Sequence, residues 1–354
     1  MCSMYSCFKT HNSFAFLNFC SNNMMDYLKK NLTHDFNYEY ELKDKIGDGG
    51  NAKVFKCKNK SDNAEYAVKI FDRTVLFDGG IKINQKDVVQ EMRHEVRLLS
   101  SLKHENIIKF YESFESFNYL HMIMEYLPGK DLYDYIQDVS KSTIKFSGIS
   151  SGLPEIEARM MFHHILRGLH YLHDKNIVHR DIKAENVWIS NPIQSLSTSF
   201  SLPKVKLLDF GLARRLDEYG GKLYDYAGSE YYVAPEVMRC KRNDKYQVNY
   251  NSDSYGTKVD CWSAGILLYA MIFARYPSKG EDDQYYFTHC TDGIAENTTI
   301  SNSLKNLLYS LLELDPKVRL STDQALKHEW FDPILSIAFD SSEDVIHNNN
   351  KYYS

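Results

Sequence analysis

The 354-residue chain contains no run of about 18 or more consecutive apolar residues, so no segment of it reads as a transmembrane helix. It carries no excess of basic charge: 42 Lys+Arg stand against 47 Asp+Glu, a formal net charge of −5. A nucleic-acid wrapper, whose surface is usually basic, is therefore not expected. The seven cysteines are odd in number, irregularly spaced and without a CxxC pair. They read as reduced thiols in a reducing compartment, cytoplasm or nucleus. No glycine follows Met1, which removes N-myristoylation. The apolar stretch Phe14 to Cys20 is too short, with only Lys9 ahead of it, for a secretory leader. What the chain does have is 43% hydrophobic and 25% charged residues, ordinary globular usage with enough apolar material for a sizeable core. At about 150 residues per domain, two domains or one two-lobed unit are expected.

Residues 1–37, rich in Asn, Ser, Phe and Met without periodicity, read as a loose extension. From Tyr38 strand-like runs follow: Tyr40 to Ile46, Lys53 to Cys57, Tyr66 to Ile70, Ile107 to Phe114 and Tyr119 to Tyr126. One helix interrupts them at 87–102, with Val88, Val89, Met92, Val96, Leu99 and Leu102 at helical spacing. After Pro128-Gly129 helical periodicity takes over at 155–175, 259–275, 302–314 and 322–331. The fold class is thus α+β: a small strand-rich lobe (38–126), a hinge, and a larger helical lobe (127–331), with a short polar tail at 332–354. Three polar stretches, 138–154, 191–204 and 240–257, read as exposed surface insertions.

Four motifs carry chemistry. Ile46-Gly47-Asp48-Gly49-Gly50-Asn51-Ala52-Lys53-Val54 places glycines between two strands, where backbone N–H groups can approach a phosphate; a plain hairpin would look much the same. It is not a Walker A loop, because Ala52 and Val54 flank the lysine where glycine and Ser or Thr are needed. Lys69 sits on an apolar strand and needs a partner if buried. Glu95 or Glu91 on the following helix could provide it; the bland reading is a lysine snorkelling to water. His179-Arg180-Asp181-Ile182-Lys183-Ala184-Glu185-Asn186, then Asp209-Phe210-Gly211, then Ala234-Pro235-Glu236, follow in order at loop positions. Loop capping would explain Asp181, Asn186 or Asp209 singly, but not all three together.

This ordered set resembles the eukaryotic-type protein kinases, over about Tyr40 to Phe331. The resemblance implies a two-lobed kinase fold, with a small antiparallel sheet lobe bearing one key helix. It also implies transfer of the γ-phosphate of ATP, with Mg²⁺, to serine or threonine hydroxyls of protein substrates. Asp181 would be the catalytic base and Lys183 would neutralise the transferring phosphate. Lys69, paired with Glu95, would orient the α- and β-phosphates, and Asn186 and Asp209 would hold Mg²⁺. The family's downstream spacing (Leu98, Leu99, Leu102, His104, Asn106, Ile107) favours Glu95 over Glu91. ATP would further meet the glycine loop, Val54, Ala67, the gatekeeper Met124, hinge residues Glu125 to Leu127, Asp131 at the ribose and Trp188 beneath the adenine. Asp260 would brace the His-Arg-Asp loop, and Arg319 would pair with Glu236.

Lys183 and Gly228-Ser229 resemble serine/threonine kinases, and the stretch to Val233 is most similar to the calcium/calmodulin-dependent kinase group. Ser229 and Glu185 would form the substrate platform. Asp131 and Glu185 would favour an arginine ahead of the target, strongest three residues before it, because Ala270 stands where a second acid would serve the position two before. Asp225, four residues before Ser229, could pair with Arg180 in place of a phosphate charge; Tyr224 and Tyr226 could instead be modified. No calcium or calmodulin site is evident. The loop from Asn251 has Tyr255 and Trp262 where an EF-hand needs oxygen ligands, and the tail lacks a basic amphipathic helix. His163, His164, His170 and His173 have no metal-ligand companions and read as helix-face histidines.

The chain departs from the family pattern at Asn51, Ala52, Ala184 and Trp188. Trp188 either crowds the nucleotide or turns aside into the helical lobe. It is the main support for a rival reading, a kinase-shaped scaffold without catalysis. A small-molecule kinase on a related fold is a further rival, opposed by the Ala234-Pro235-Glu236 segment and the Gly228-Ser229 platform.

Overall fold

Apolar alternation along five strands builds the first of two units, drawn from residues up to Lys103 and from Ile108–Pro128. The computed structural model describes residues 34–48, 52–72, 85–116, 118–147, 152–190, 204–243, 254–277, 291, 294, 297 and 299–333. Strands β1 (Tyr40–Asp48), β2 (Ala52–Asn59), β3 (Glu65–Asp72), β4 (Phe110–Glu115) and β5 (Tyr119–Glu125) form an antiparallel sheet in the order β1-β2-β3-β5-β4. Because side chains alternate faces, Val68 and Ile70 of β3 share one face with Phe55, Cys57, Tyr119 and Ile123, and all are buried together. Ala67 and Lys69 point the other way, opposite Met124 and Met122 in the register. Helix α2 (Gln85–Ser100) buries Met92, Glu95, Leu98 and Leu99, the stripe that its helical spacing dictates.

The packed part of this unit begins earlier than Tyr38. A short helix, α1 (His34–Glu39), precedes β1, and Phe36 within it is fully buried in the Val68 face of the sheet. Its ring stacks on Tyr40 at 5.6 Å and on His121 at 4.8 Å. Residues 34–37 therefore belong with the sheet rather than with a loose extension. One buried turn ahead of β1 is too short for helical spacing to show.

The second unit comprises His104–Ile107 and residues from Gly129 onward. It contains β6 (Gly129–Asp131), α3 (Leu132–Ser147), α4 (Glu155–Asp174), β7 (Ile177–Val178), β8 (Val187–Ser190), β9 (Lys204–Leu207), β10 (Arg214–Arg215), α5 (Pro235–Asn243), α6 (Lys258–Phe273), α7 (Asn302–Leu311) and α8 (Thr322–Leu326). Strands β6-β8-β9 form a small sheet, and β7 pairs with β10. Helix α6 is buried at every position from Val259 to Ile272, which places Asp260 inside protein. Helix α4 turns Ala158, Met161, Phe162, Ile165, Leu166, Leu169 and Leu172 inward. Glu155 gathers far-apart segments: its carboxylate accepts from the Ser301 hydroxyl at 2.6 Å and from Trp330 Nε1 at 2.8 Å. No described helix is long and apolar enough to cross a membrane.

Several sequence boundaries shift. The strand expected from Ile107 starts at Phe110, and Ile107 instead makes an isolated parallel bridge with Leu207. The helix expected over 322–331 breaks after Leu326, and Glu329–Phe331 form a 3-10 turn capped by the His328 side chain. Residues 138–154 are not simply an exposed insertion. Helix α3 runs on to Ser147, and Leu153 is buried, with its N–H on the Met271 carbonyl at 2.7 Å. In 240–257, Cys240 and Tyr255 are buried. Polar composition reports the average of such stretches and misses the few residues that fasten their ends. Residues 191–203 lie outside the described residues.

Candidate active site

Lys69 occupies the middle of β3 between the buried Val68 and Ile70, on the opposite face from both. Its Nζ meets Glu95 Oε1 at 2.7 Å, and Glu95 is 3% exposed. The ammonium also lies 5.0 Å from the centre of the Phe71 ring. Each charge relieves the cost of burying the other, and breaking such a pair is expensive. Glu91, the alternative partner, is exposed on α2. The stem of the glycine loop is an antiparallel pair whose register shifts between Lys45 and Gly47, leaving Gly47 opposite Val54 and Asp48 opposite Lys53; Ile46 is exposed and Ala52 buried. Gly49, Gly50 and Asn51 lie outside the described residues. Ala67 pairs with Met124 across the sheet, and both are buried. Glu125 Oε1 accepts from Lys109 N at 2.7 Å, fixing the end of β5; Leu127, two residues on, is half-buried.

In the second unit the loop after β7 gathers the other candidates. Asp181 Oδ1 accepts from the Ser229 hydroxyl at 2.7 Å, and its Oδ2 lies 2.8 Å from Lys183 Nζ. Lys183 Nζ also donates to the Ser229 Oγ at 2.9 Å. Asn186 Nδ2 donates to the Asp181 carbonyl at 2.8 Å and to Asp181 Oδ2 at 2.9 Å. With its amide nitrogen committed, Asn186 has its side-chain oxygen left for a cation. Asp209, exposed and at φ 55°, is held near this loop because Leu208 N donates to the Asn186 carbonyl at 2.8 Å. Two oxygen donors of this kind fit a hard divalent cation such as Mg²⁺.

The loop's shape is imposed from beneath. The Asp260 carboxylate accepts from His179 N at 2.8 Å and Arg180 N at 2.9 Å, and it contacts His173 Nε2 at 2.9 Å. Burial alone would raise the Asp260 pKa, but these hydrogen bonds and the histidine charges hold it below its usual value. They also hold Arg180 at φ 69°, a left-handed conformation that a non-glycine residue rarely adopts. Gly228 at φ 118° passes so close that a Cβ there would stand 2.7 Å from the Arg180 carbonyl, so glycine is required beside Ser229.

The Arg180 side chain reaches the segment after Asp209. Its Nη1 donates to both Asp225 carboxylate oxygens at 2.8 and 2.7 Å, and its Nε donates to the Leu212 carbonyl at 2.6 Å. Burial would raise the Asp225 pKa, but the neighbouring guanidinium more than offsets it and holds the carboxyl below its ordinary range. Tyr255, which the sequence reading treated only as a misfit in a calcium loop, joins this pair: its hydroxyl accepts from Arg180 Nη1 at 3.0 Å.

Asp131 ends β6 and its Oδ1 accepts from Asp134 N at 2.7 Å, starting α3. Burial raises its pKa, and the charges of Asp134 and Glu185 add to the rise. Glu185 is exposed. Trp188 in β8 lies opposite Asp131 in the register, and its Nε1 is buried without a hydrogen-bond partner. A Cβ on Gly129 would come within 3.0 Å of that nitrogen, so the indole lies against β6 of its own unit.

A family model described as "Protein kinase domain" matches residues 40–331. The chain belongs to the protein kinase domain family. It is 32% identical over 311 residues to the mouse (Mus musculus) serine/threonine-protein kinase DCLK3, covering 86% of this chain and 34% of that one. It is 29% identical over 309 residues to the meiosis-specific serine/threonine-protein kinase mek1 of Schizosaccharomyces pombe, covering 86% and 63%. It is 34% identical over 304 residues to calcium-dependent protein kinase 29 of Arabidopsis thaliana, covering 84% and 49%. The chain thus spans between a third and two thirds of the length of these relatives.

Within the kinase domain the motifs separate into two groups by what they touch. Asp260 and the Glu236–Arg319 pair contact backbone and each other, and set shape. Asp181, Lys183, Asn186 and Asp209 converge on one loop cluster, and Lys69 and Glu95 pair within the other unit. Tyr255 and Phe36 were missed by sequence reasoning.

Proposed function

We propose that the chain transfers the γ-phosphate of ATP, with Mg²⁺, to serine or threonine hydroxyls of protein substrates. The observation that carries this reading is the Ser229 hydroxyl, which donates to Asp181 Oδ1 at 2.7 Å while Lys183 Nζ touches both groups. The Asp181 carboxylate is thereby arranged to receive the proton of an alcohol with a cation behind it. In this reading Asp181 accepts the proton of the substrate hydroxyl as the oxygen attacks phosphorus, and Lys183 neutralises charge on the transferring group. Lys69, kept in place by Glu95, orients the α- and β-phosphates; the glycine-loop stem, Val54, Ala67, Met124, Glu125, Leu127, Asp131 and Trp188 belong to the nucleotide side. Asn186 and Asp209 hold Mg²⁺, which when bound neutralises phosphate charge. Such positioning and charge neutralisation are what phosphoryl transfer demands of a protein.

Ser229 and Glu185 form the substrate platform. Asp131 and Glu185 support a preference for arginine ahead of the acceptor, strongest three residues before it. The buried free thiols of Cys57, Cys240 and Cys261 suit a reducing compartment such as the cytoplasm. No observation favours the scaffold reading. The test is Mg²⁺-dependent transfer from labelled ATP to a basic serine peptide, comparing wild type with Asp209→Asn. Transfer by wild type and its loss in the variant are expected. A folded wild type that transfers nothing overturns the reading.

A further inference from the structure

Tyr255 lies within a stretch whose composition reads as exposed, yet the residue is 2% exposed. Its backbone exchanges two hydrogen bonds with Leu223: Leu223 N donates to Tyr255 O at 3.0 Å and Tyr255 N to Leu223 O at 2.9 Å. Its hydroxyl accepts from Arg180 Nη1 at 3.0 Å and donates to the Asp225 carbonyl at 2.8 Å. One residue thus grips the segment following Asp209 at two points and also the arginine that precedes Asp181.

The electrostatics make this grip consequential. The Arg180 side chain is 2% exposed, but its partner Asp225 is 60% exposed. An ion pair open to water on one side is screened and contributes little by itself. A buried guanidinium nevertheless needs acceptors for its N–H groups. The Tyr255 hydroxyl supplies one that solvent cannot reach. Arg180 is also held at φ 69°, so the loop carrying Asp181 stores strain that its anchors must resist.

We propose that Tyr255 is a positioning residue for phosphoryl transfer, holding Leu223–Asp225 on Arg180 and so fixing the loop that presents Asp181. The anchor consists of unmodified side chains: a tyrosine hydroxyl, a carboxylate and a backbone bridge. The proposal rests on the kinase reading above, so its test has one arm that does not depend on activity.

The experiment compares the full-length wild type with Tyr255→Phe, which keeps the ring and removes the hydroxyl. Amide hydrogen exchange across 221–227 reports the anchor directly and is expected to quicken in Y255F. In peptide phosphorylation kcat is expected to fall about tenfold, the scale of one hydrogen bond to a charged group. KM for ATP should stay within about twofold, since ATP binding is not what the hydroxyl serves. A cycle with Asp225→Asn separates this role from general stability: the two substitutions should be non-additive in kcat, because both act through Arg180. Unchanged exchange in Y255F, or full additivity in the cycle, overturns the proposal. A wild type that transfers no phosphate overturns the kinase reading instead, and the exchange arm still decides this one.

Discussion

Arg319 closes on Glu236 through two parallel hydrogen bonds, Nη1 to Oε1 at 2.6 Å and Nη2 to Oε2 at 3.0 Å, with both residues out of solvent. Its remaining donors are used as well, Nε on the Glu313 carbonyl and Nη1 on the Lys258 carbonyl, both at 2.9 Å, and the guanidinium lies 5.1 Å from the centre of the Trp262 ring. The residue therefore ties α5, the start of α6 and the turn after α7 together. Arg319→Ala leaves a buried carboxylate without its cation, and we expect a loss of about 3–5 kcal/mol. Arg319→Lys should recover only part of it, because an ammonium cannot reproduce the fork. Chemical denaturation measures both, and a loss below about 1 kcal/mol for the alanine variant would contradict this account.

The Lys69–Glu95 pair yields a kinetic expectation. Glu95→Gln keeps the size and removes the charge that holds the ammonium at 2.7 Å. The lysine then loses the Glu95 carboxylate that fixes its direction. On the proposed role of Lys69 toward the phosphates, we expect kcat/KM to fall by about tenfold or more. Glu91→Gln, at the exposed alternative position one turn away, should leave activity near wild type. Equal losses in the two variants would mean that the glutamate pairing does not govern the lysine.

How far the sequence could be read follows from where each signal resides. Lys69, Asp181, Lys183, Asn186 and Asp209 announce themselves because they fall, by type and order, on the motifs of the protein kinase domain. The strands and long helices announce themselves through period. Neither rule covers Phe36 or Tyr255. Each is an anchoring side chain with partners distant in sequence: His121 and Phe114 for one, Arg180 and Leu223 for the other. Trp188 was legible as an anomaly; that its ring nitrogen lies against β6 depends on how closely Gly129 lets β6 approach β8. The break after Leu326 was hidden because the apolar spacing continues through Trp330 and Phe331 even though the backbone does not stay helical.

His121 predicts an acid sensitivity of the sheet unit. The ring is fully buried against Phe36, and burial pushes its pKa down to about 4, against a smaller opposing pull from the Phe114 backbone. An exposed histidine titrates near 6.5. Below that value the unfolded chain takes up a proton that the folded one refuses, so stability is full above pH 6.5 and is lost as pH falls toward 4. For a depression of this size the loss amounts to roughly 3 kcal/mol. Denaturation at pH 7 and pH 4.5 should show it, and His121→Phe should flatten that part of the pH dependence. An identical pH slope in the variant would remove His121 as its source.

Asp225 predicts how activity depends on modification and on pH. A phosphate in this position would carry a second pKa near 6 and lose charge on mild acidification. The Asp225 carboxyl is held below its ordinary 3.8, because the Arg180 charge outweighs the upward push of burial. A depressed acid contributes fully above its unfolded pKa and fades only as pH falls through the lower folded value. The Arg180 anchor should therefore be constant from pH 8 to about pH 5. Activity should survive phosphatase treatment of the purified protein, and Asp225→Ala should lower kcat by about tenfold. Activity lost to phosphatase and regained on rephosphorylation would shift the role to a modified residue, with Tyr224 and Tyr226 the first to examine. An Asp225→Ala variant at wild-type kcat would show that the carboxylate is no more than an exposed acid resting on a buried arginine.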